Sequence, residues 1–371
     1  MPYQRDNQAE KALAIPDSTG DCANGSQLSL AIIDPLQHPQ WDDLLLSLEG
    51  CSFFHTTGWA RVLSESYDYT PLYFVLYGSD RLEAVIPVME VKSILTGCRG
   101  VSLAFTDYCR PIAGDQRQFD HLLKSIVAYG KKAGWQTIEL RGAGEFLPSA
   151  TASASYLGHV LELSPDEQQV YRRFRGSTKQ NIKKANAAGV EINICDTPAA
   201  LEVFQRLNCI TRKKHGMPPQ PDRFFRNVGE HVIAKGKGFI VLASCGKKPI
   251  AASVFFHFGR TGVYKYGASD DTHQHLRPNN LVIWEAIKWF CRNGFESFCF
   301  GRTDPGNNGL RQFKNGWGTR ETTIHYYRYD LRRDSFVPGE IELDSRYTRL
   351  LGKLPIPLLK TLGSLLYRHK G

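Results

Sequence analysis

The sequence predicts an α/β protein of two tandem domains, each a mixed sheet covered by helices. Three observations carry that reading. A chain of 371 residues is long enough for two separate cores. Helical periodicity alternates with short apolar strands through both halves. Finally, Leu122–Gly142 (LLKSIVAYGKKAGWQTIELRG) lies without a gap over Val282–Arg302 (VIWEAIKWFCRNGFESFCFGR), with Gly134-Trp135 on Gly294-Phe295. The same helix–glycine–strand unit in the same place in each half points to duplication.

Taken in order, residues 1–27 are polar, lack the apolar centre of a signal peptide and are expected to be a disordered leader. Residues 28–33 read as a strand and 41–48 as a helix. Thr56 or Thr57 can cap a second helix through Gly58–Leu63. Residues 71–77 and 82–91 form a hairpin around Gly78-Ser79-Asp80-Arg81, and 101–105 read as a neighbouring strand. A helix over 119–132 and a strand over 137–140 complete a first domain, 28–155. The second, 156–333, opens with a strand at 159–163. Ser164-Pro165-Asp166-Glu167 then has capping-box spacing with Pro at the first helical position. Helices follow to about Ala187 and between 198 and 235. Strands come next at 239–243, 250–258 and 263–268, then the second helix–glycine–strand unit. Residues 334–371 form a tail.

The composition, 42% hydrophobic and 22% charged, is that of a soluble globular protein, which points to the cytoplasm. The net charge of +9, from 46 Lys and Arg against 37 Asp and Glu, favours an anionic partner such as phosphate, tRNA or an acidic membrane. Nine cysteines without a CxxC pair read as free thiols. No apolar run reaches membrane-span length.

Four stretches carry chemistry. After the 295–300 strand comes Gly301-Arg302-Thr303-Asp304-Pro305-Gly306-Asn307-Asn308, a polar loop at a strand's carboxyl end, where α/β sheets bind ligands. It offers Arg302, Asp304, Asn307 and Asn308; the plainer alternative is a solvated loop. Residues 172–184 hold six basic residues and no acid, Arg175, Lys179, Lys183 and Lys184 among them. They form either a solvated helix face or a phosphate contact. His215-Gly216-Met217-Pro218-Pro219 reads as a structural turn, with His215 as a general base the sharper alternative. The tail from 345 to 371 has six Lys or Arg, no acid and eight leucines, broken by Pro355 and Pro357. It can lie on an anionic membrane or pack on the body. A metal at His273-x-His275 lacks further ligands nearby, and none is expected.

The text FGRTDPGNNGL–QFKNGWG, with SFFHTTGWARVL, RFRGSTKQNIKKANAAGVEI and LRPNNLVIWEAI, resembles the FemAB-like aminoacyl- and acyltransferases. The resemblance implies two tandem acetyltransferase-like (GNAT) domains. It also implies transfer of an amino acid from charged tRNA to a cell-wall precursor, nucleotide- or lipid-linked, with no metal or other cofactor. Relatives acting in exopolysaccharide assembly imply the alternative, an acyl-CoA donor; a non-catalytic anion-binding module is a third reading. Lys314 matches the lysine that contacts substrate in these enzymes. By position, Asp304 would accept a proton and Tyr266 would contact the acyl group or return a proton. Where acyl-CoA enzymes carry a glycine-rich pyrophosphate loop, this chain has only Arg277, with Asn279 or Asn280 as helix cap, which argues for the FemAB branch. Trp59 reads as core, with His55 beside it a candidate ligand contact.

Overall fold

The computed structural model describes residues 28–79, 81–339 and 350–371; the expected leader and residues 340–349 of the tail fall outside them. The first half runs β1 (Ser29–Ile33), α1 (Trp41–Leu46), α2 (Thr57–Tyr67), β2 (Thr70–Tyr77), β3 (Leu82–Ser93), β4 (Gly97–Val101), α3 (Gln116–Lys132), β5 (Thr137–Arg141). The second opens with β6 (Ala154–Glu162), α4 (Glu167–Arg172), α5 (Gly176–Ala187), β7 (Val190–Cys195), α6 (Pro198–Lys214) and α7 (Asp222–Val228). It continues through β8 (Gly238–Cys245), β9 (Lys248–Phe258), β10 (Thr261–Ser269), α8 (Pro278–Arg292), β11 (Ser297–Thr303) and α9 (Asn308–Asn315). β12 (Arg320–Asp330), β13 (Ser335–Val337) and α10 (Ile356–Lys370) close the described chain.

The repeated unit is real in three dimensions. β4 and β5 pair in parallel across α3, and β10 and β11 pair in parallel across α8. Each crossover helix is followed by a left-handed glycine, Gly134 at φ +71° and Gly294 at φ +75°. The expected pair of sheets is, however, one sheet. Its order is β1-β2-β3-β4-β5-β12-β6-β11-β10-β9-β8-β7, with β13 beside β12. β12, which the sequence reading left unassigned, lies antiparallel to both β5 and β6 and welds the halves together. Tyr326 on β12 stands opposite Arg141 on β5 and Ala154 on β6. The boundary expected at 155/156 falls inside β6.

Two local expectations change. Residues 102–106 are a turn rather than a strand, with Leu103 at φ +52° and Phe105 at φ +58°. The cap of α4 falls two residues after the expected one: Asp166, rather than Ser164, accepts from the Gln168 amide, so the capping box does not form. Thr56 caps α2 by accepting from the Trp59 amide, as one of the two candidates.

Apolar packing also crosses the junction. Trp59, fully buried, meets Phe53, Phe54, Phe224 and Phe256, so α2 of the first half is seated on α7 and β9 of the second. Truncating such a residue costs about 3–5 kcal/mol. α10 lies over the seam with Leu359, Gly363 and Tyr367 buried. A Cβ on Gly363 would stand 2.0 Å from the Pro219 carbonyl, so only glycine lets the helix approach the Pro218-Pro219 turn this closely. The Tyr367 hydroxyl donates to the Pro218 carbonyl, and the Tyr69 hydroxyl donates to the Tyr367 carbonyl. The described part of the tail therefore packs on the body.

Candidate active site

A cavity of about 520 Å³ opens at the seam. Its walls come from the turn after β4 (Phe105, Thr106, Asp107), from β5 (Arg141), β6 (Tyr156), β10 (Tyr266), β11 (Arg302), β12 (Tyr326, Arg328), the end of α6 (Arg212) and α10 (Tyr367). Parallel β10 and β11 pair from Thr261/Ser297 as far as Val263/Cys299, and their ladder ends there. The first half's 105–107 turn is tied to β10 and β11 in that region, through Lys265 and Arg302.

The turn is held by cations. Lys265 Nζ donates to the Phe105 carbonyl at 2.7 Å and to Asp107 Oδ2 at 2.9 Å. Arg141 Nη1 donates to the carbonyls of Leu103 and Thr106 at 3.2 and 3.3 Å, while its Nε binds Glu139 at 2.7 Å. Leu103 and Phe105, each in the left-handed region, are thus clamped from both sides; a strained backbone persists only where its surroundings over-determine it. The Lys265 ammonium also lies over the rings of Phe54, Trp59 and Tyr266, 5.2, 5.8 and 5.3 Å from their centroids.

Asp107 is the carboxylate at the centre. Burial pushes its pKa up, but Lys265 and Arg302 outweigh burial and hold it below the usual carboxylate range. Its Oδ1 stands 4.0 Å from Arg302 Nε. Arg302 stacks over Tyr156 at 4.3 Å and donates to the Tyr326 hydroxyl at 3.0 Å, which in turn donates to the Asp107 carbonyl at 2.8 Å. Arg141 and Arg302 both lie 5.3 Å from the Tyr326 ring. Burial pushes the Tyr326 hydroxyl up to about 12.

Lys314 sits behind this wall, only 3% exposed, and does not line the cavity. Its Nζ donates to the carbonyls of Gly301 and Arg302 at 3.2 and 2.8 Å. Those carbonyls belong to an irregularity in β11 where the register with β6 shifts between Cys299 and Arg302. Gly301 is at φ +69°, and a Cβ there would meet Asp107 Oδ2 at 3.1 Å. Burial pulls the Lys314 ammonium down to about 8, with Asp107 and Cys299 opposing. Lys314 therefore fixes the backbone that aims Arg302 and adds positive charge beneath Asp107.

Of the residues singled out from sequence, Arg302 and Tyr266 line the cavity; burial pushes the Tyr266 hydroxyl well up, so it stays protonated. Asp304 does not line it: the residue is exposed and its Oδ1 accepts from the Gly306 amide within its own turn. Asn307 and Asn308 are exposed, and Asn307 caps α9 by accepting from the Leu310 amide. The side-chain carboxylates that line the cavity are Asp107 and Glu139, the latter bound by Arg141. Arg277 is exposed, in the left-handed region and itself the N-cap of α8, with Pro278 at the first turn; neither Asn279 nor Asn280 caps the helix. Asn279 Nδ2 instead donates to Ser269 Oγ at 3.3 Å. His55 is buried and spent on structure, with Nδ1 at Ser52 and Nε2 at 3.0 Å from the Arg110 carbonyl; burial lowers it to about 4. Trp59 is core that touches the site only through Lys265. His215 ends α6.

Of the basic run, Lys183 and Lys184 are exposed, while Lys179 donates to the Arg172 carbonyl and lies over Tyr171. Arg175 begins α5, whose first turn holds no acid and whose N-cap makes no side-chain bond. The Arg175 amide donates to the Gly316 carbonyl, which sets the run beside the segment carrying Lys314.

Sequence reasoning missed Asp107, Lys265, Arg141 and Tyr326. One signal was present: Lys265 interrupts an aromatic strand, Tyr264-Lys265-Tyr266, where a buried charge needs a partner.

Residues 172–315 match the family model described as an acetyltransferase (GNAT) domain. The chain is built on the tandem acetyltransferase fold. A structure of FemX superposes with a TM-score of 0.64 at 13% identity, covering 77% of this chain and 94% of that one. A tandem GNAT protein from the clavulanic acid biosynthesis pathway gives 0.52 at 10% identity, covering 82% and 99%. L-PGS from Bacillus licheniformis gives 0.50 at 12%, covering 85% and 98%. Among curated proteins, the UDP-N-acetylmuramoylpentapeptide-lysine N(6)-alanyltransferase of Weissella viridescens is 23% identical over 163 residues. That match spans 43% of this chain and 48% of the relative, about half its length. The resemblance to the FemAB-like transferases read from the sequence is borne out.

Proposed function

We propose that the protein is a Fem-type aminoacyltransferase, forming an amide between an amine of a peptidoglycan-type precursor and the aminoacyl group of a charged tRNA. The observation that carries this is the carboxylate of Asp107, held ionised at the edge of a cavity walled by Arg141, Arg212, Arg302 and Arg328. The acceptor amine enters neutral, its ammonium proton shed to solvent, and Asp107 orients it and takes the proton that the nitrogen loses as the new C–N bond forms. The neutral amine attacks the ester carbonyl, and the cationic wall stabilises the tetrahedral oxyanion. On this proposal Tyr266 relays to the departing ribose oxygen the proton that Asp107 has taken from the nitrogen, so that the C–O bond breaks and the phenol ends the cycle protonated. Lys265 and Lys314 hold Asp107 and Arg302 in position rather than touching substrate, while Arg141 both ties down the 103–106 turn and stands in the wall. The exposed lysines 183 and 184, in the last two turns of α5, are offered to the tRNA backbone.

An acyl-CoA donor is the weaker reading. Arg277 and Pro278 stand where a glycine-rich loop would let the backbone approach a pyrophosphate, and the 105–107 turn is bound across β10 and β11 beyond the point where their ladder ends. Donor and acceptor on the favoured reading are both cytoplasmic molecules; no described helix is long and apolar enough to cross a membrane.

A donor screen tests the proposal. Radiolabelled aminoacyl-tRNAs and acyl-CoAs are offered with a muramoyl-pentapeptide acceptor, for wild type and Asp107→Asn. Turnover with a charged tRNA, lost in Asp107→Asn, is expected. Turnover with acyl-CoA alone would replace the donor, and no turnover with any donor would leave an anion-binding module.

A further inference from the structure

The floor of the cavity is the face of the sheet turned away from α3. Ile138 and Leu140 of β5 and Tyr327 of β12 pack in the core with α3, so the alternate residues Glu139, Arg141, Tyr326 and Arg328 face the cavity. Arg141 stands opposite Tyr326, and Glu139 opposite Arg328. Arg328 therefore lies one strand repeat beyond Tyr326, roughly 7 Å along β12.

The four guanidiniums of the cavity are not equivalent. Arg302 is engaged by the Tyr326 hydroxyl, and Arg212 by the Pro218 carbonyl and the Tyr367 hydroxyl. Arg141 donates to two turn carbonyls and grips Glu139 through both Nε and Nη2 at 2.7 Å. Asp330, two residues beyond Arg328, accepts from the Arg332 and Arg333 amides of its own turn. Arg328 is half-buried, and among the described residues nothing bonds or pairs with its guanidinium. It also stands among like charges. Arg99 on β4 is pulled down chiefly by burial, against Tyr69 and Glu139, and is pulled further by Arg328 and Arg141. A half-buried cation left unpaired beside other cations is a costly arrangement, and an anionic ligand relieves it.

We infer that Arg328 is a specificity-determining residue for the donor: it takes the phosphate that joins the terminal adenosine to the rest of the charged tRNA. The inference rests on the proposed aminoacyl transfer and names the part of the donor that the cavity reads. Tyr326, one strand repeat away, accepts from Arg302 and donates to the Asp107 carbonyl, so it marks the reacting end. An anion held by Arg328 is therefore carried only a few bonds from the reacting atoms. In an aminoacyl-tRNA that phosphate sits on the same ribose as the ester oxygen. In a UDP-linked muramoyl-pentapeptide, by contrast, the sugar and the peptide separate the diphosphate from the side-chain amine. A planar guanidinium matches two oxygens of a phosphodiester at once.

The test measures binding to the full chain by calorimetry at low salt, with no turnover required. The probes are a short RNA oligonucleotide ending in CCA and the same oligonucleotide with its last phosphodiester replaced by an uncharged methylphosphonate. Wild type should bind the natural probe roughly tenfold or more tightly than the neutral one. Arg328→Met should bind both alike, at the level of wild type with the neutral probe, and its salt slope should be shallower by about one unit. A melt of Arg328→Met should match wild type, since no bond of the fold is lost. The inference is overturned if wild type binds neither probe, if it binds both alike, or if Arg328→Met keeps the discrimination. It is overturned too if Arg328→Met binds the RNA as wild type does but loses affinity for a UDP-linked muramoyl-pentapeptide, which would assign the phosphate to the acceptor. The donor screen fails separately: turnover with a charged tRNA, together with undiminished discrimination by Arg328→Met, sinks this inference alone.

Discussion

Replacing Lys314 by Met separates the charge of this side chain from its volume. The ammonium is 3% exposed and its pKa is pulled from 10.5 to about 8, chiefly by burial. Each pKa unit corresponds to about 1.4 kcal/mol, so keeping it charged in the fold costs about 3 kcal/mol at neutral pH. Met keeps the length of the stem and removes that penalty. It also strips the donors from the Gly301 and Arg302 carbonyls, a loss of about 1–3 kcal/mol. The two effects nearly cancel, so Lys314→Met should melt close to wild type at pH 7, whereas Lys314→Ala, which also opens a void, should be less stable. A substrate-contacting lysine, as the resemblance implies for Lys314, would be exposed and its loss to Ala would leave stability nearly untouched; the burial of Lys314 reverses that. The pH dependence is the sharper assay. Below about pH 8 the lysine is protonated in both folded and unfolded chains and the penalty is fully present. Between about pH 8 and 10.5 the folded protein has lost the proton and the unfolded chain still holds it. Wild-type stability, relative to Lys314→Met, should therefore rise by about 1.4 kcal/mol per pH unit across that window. Taking the difference between the two proteins cancels the titration of tyrosines and cysteines common to both. Denaturant unfolding at pH 7, 8, 9 and 10 measures it, and parallel stability curves would refute the reasoning. Turnover should fall steeply in Lys314→Met despite the intact fold, because Arg302 loses its anchored backbone.

Three further outcomes are expected. Asp107→Asn should reduce turnover by about two to four orders of magnitude with little change in acceptor affinity, measured by single-turnover kinetics and calorimetric titration. Replacing Lys183 and Lys184 together by Ala should lower tRNA affinity and flatten its dependence on salt by nearly two units of slope, read from filter binding over a salt series; an unchanged slope makes them a solvated face. His55, lowered to about 4 by burial, is neutral in the fold while the unfolded chain takes a proton below pH 6.5. Wild type should thus lose stability by about 1.4 kcal/mol per unit as pH falls from 6.5 towards 4, and His55→Gln should lose less, by acid melts.

The repeat, both crossover helices and the strands that flank them were legible because each is a local pattern. A helical stripe ended by Gly134 or Gly294 and followed by an apolar run needs no partner to be recognised. β12 was not. RETTIHYYRYD carries charge at both ends, and what fixes it as a central strand is pairing with β5 and β6, far away in sequence. The site suffered the same way. Asp304 and Asp107 are both acids in Pro-bounded loops, and nothing local separates one that satisfies its own turn from one that meets Lys265 across 158 residues of chain. Arg302 and Tyr266 were found because they lie on strands whose ends the pattern already marked.

The position of β12 explains why the cavity and the seam coincide. Each half alone would present a sheet edge at β5 or β6, and an open edge is an aggregation liability. β12 closes both edges at once. In doing so it sets Tyr326 between Arg141 of the first half and Arg302 of the second, so that one phenol ring is shared by two guanidiniums from opposite sides of the seam. Its hydroxyl then binds the Thr106-Asp107 backbone, the turn that Lys265 holds from β10. The carboxylate, the cationic wall and the interdomain joint are therefore one hydrogen-bonded unit. A shift of one half against the other would move Arg302 away from Asp107, and only a rigid joint can keep such groups within the tolerance that the proposed acyl transfer demands. The aromatic packing of Trp59 on Phe224 and Phe256 supplies that rigidity from the other face of the seam.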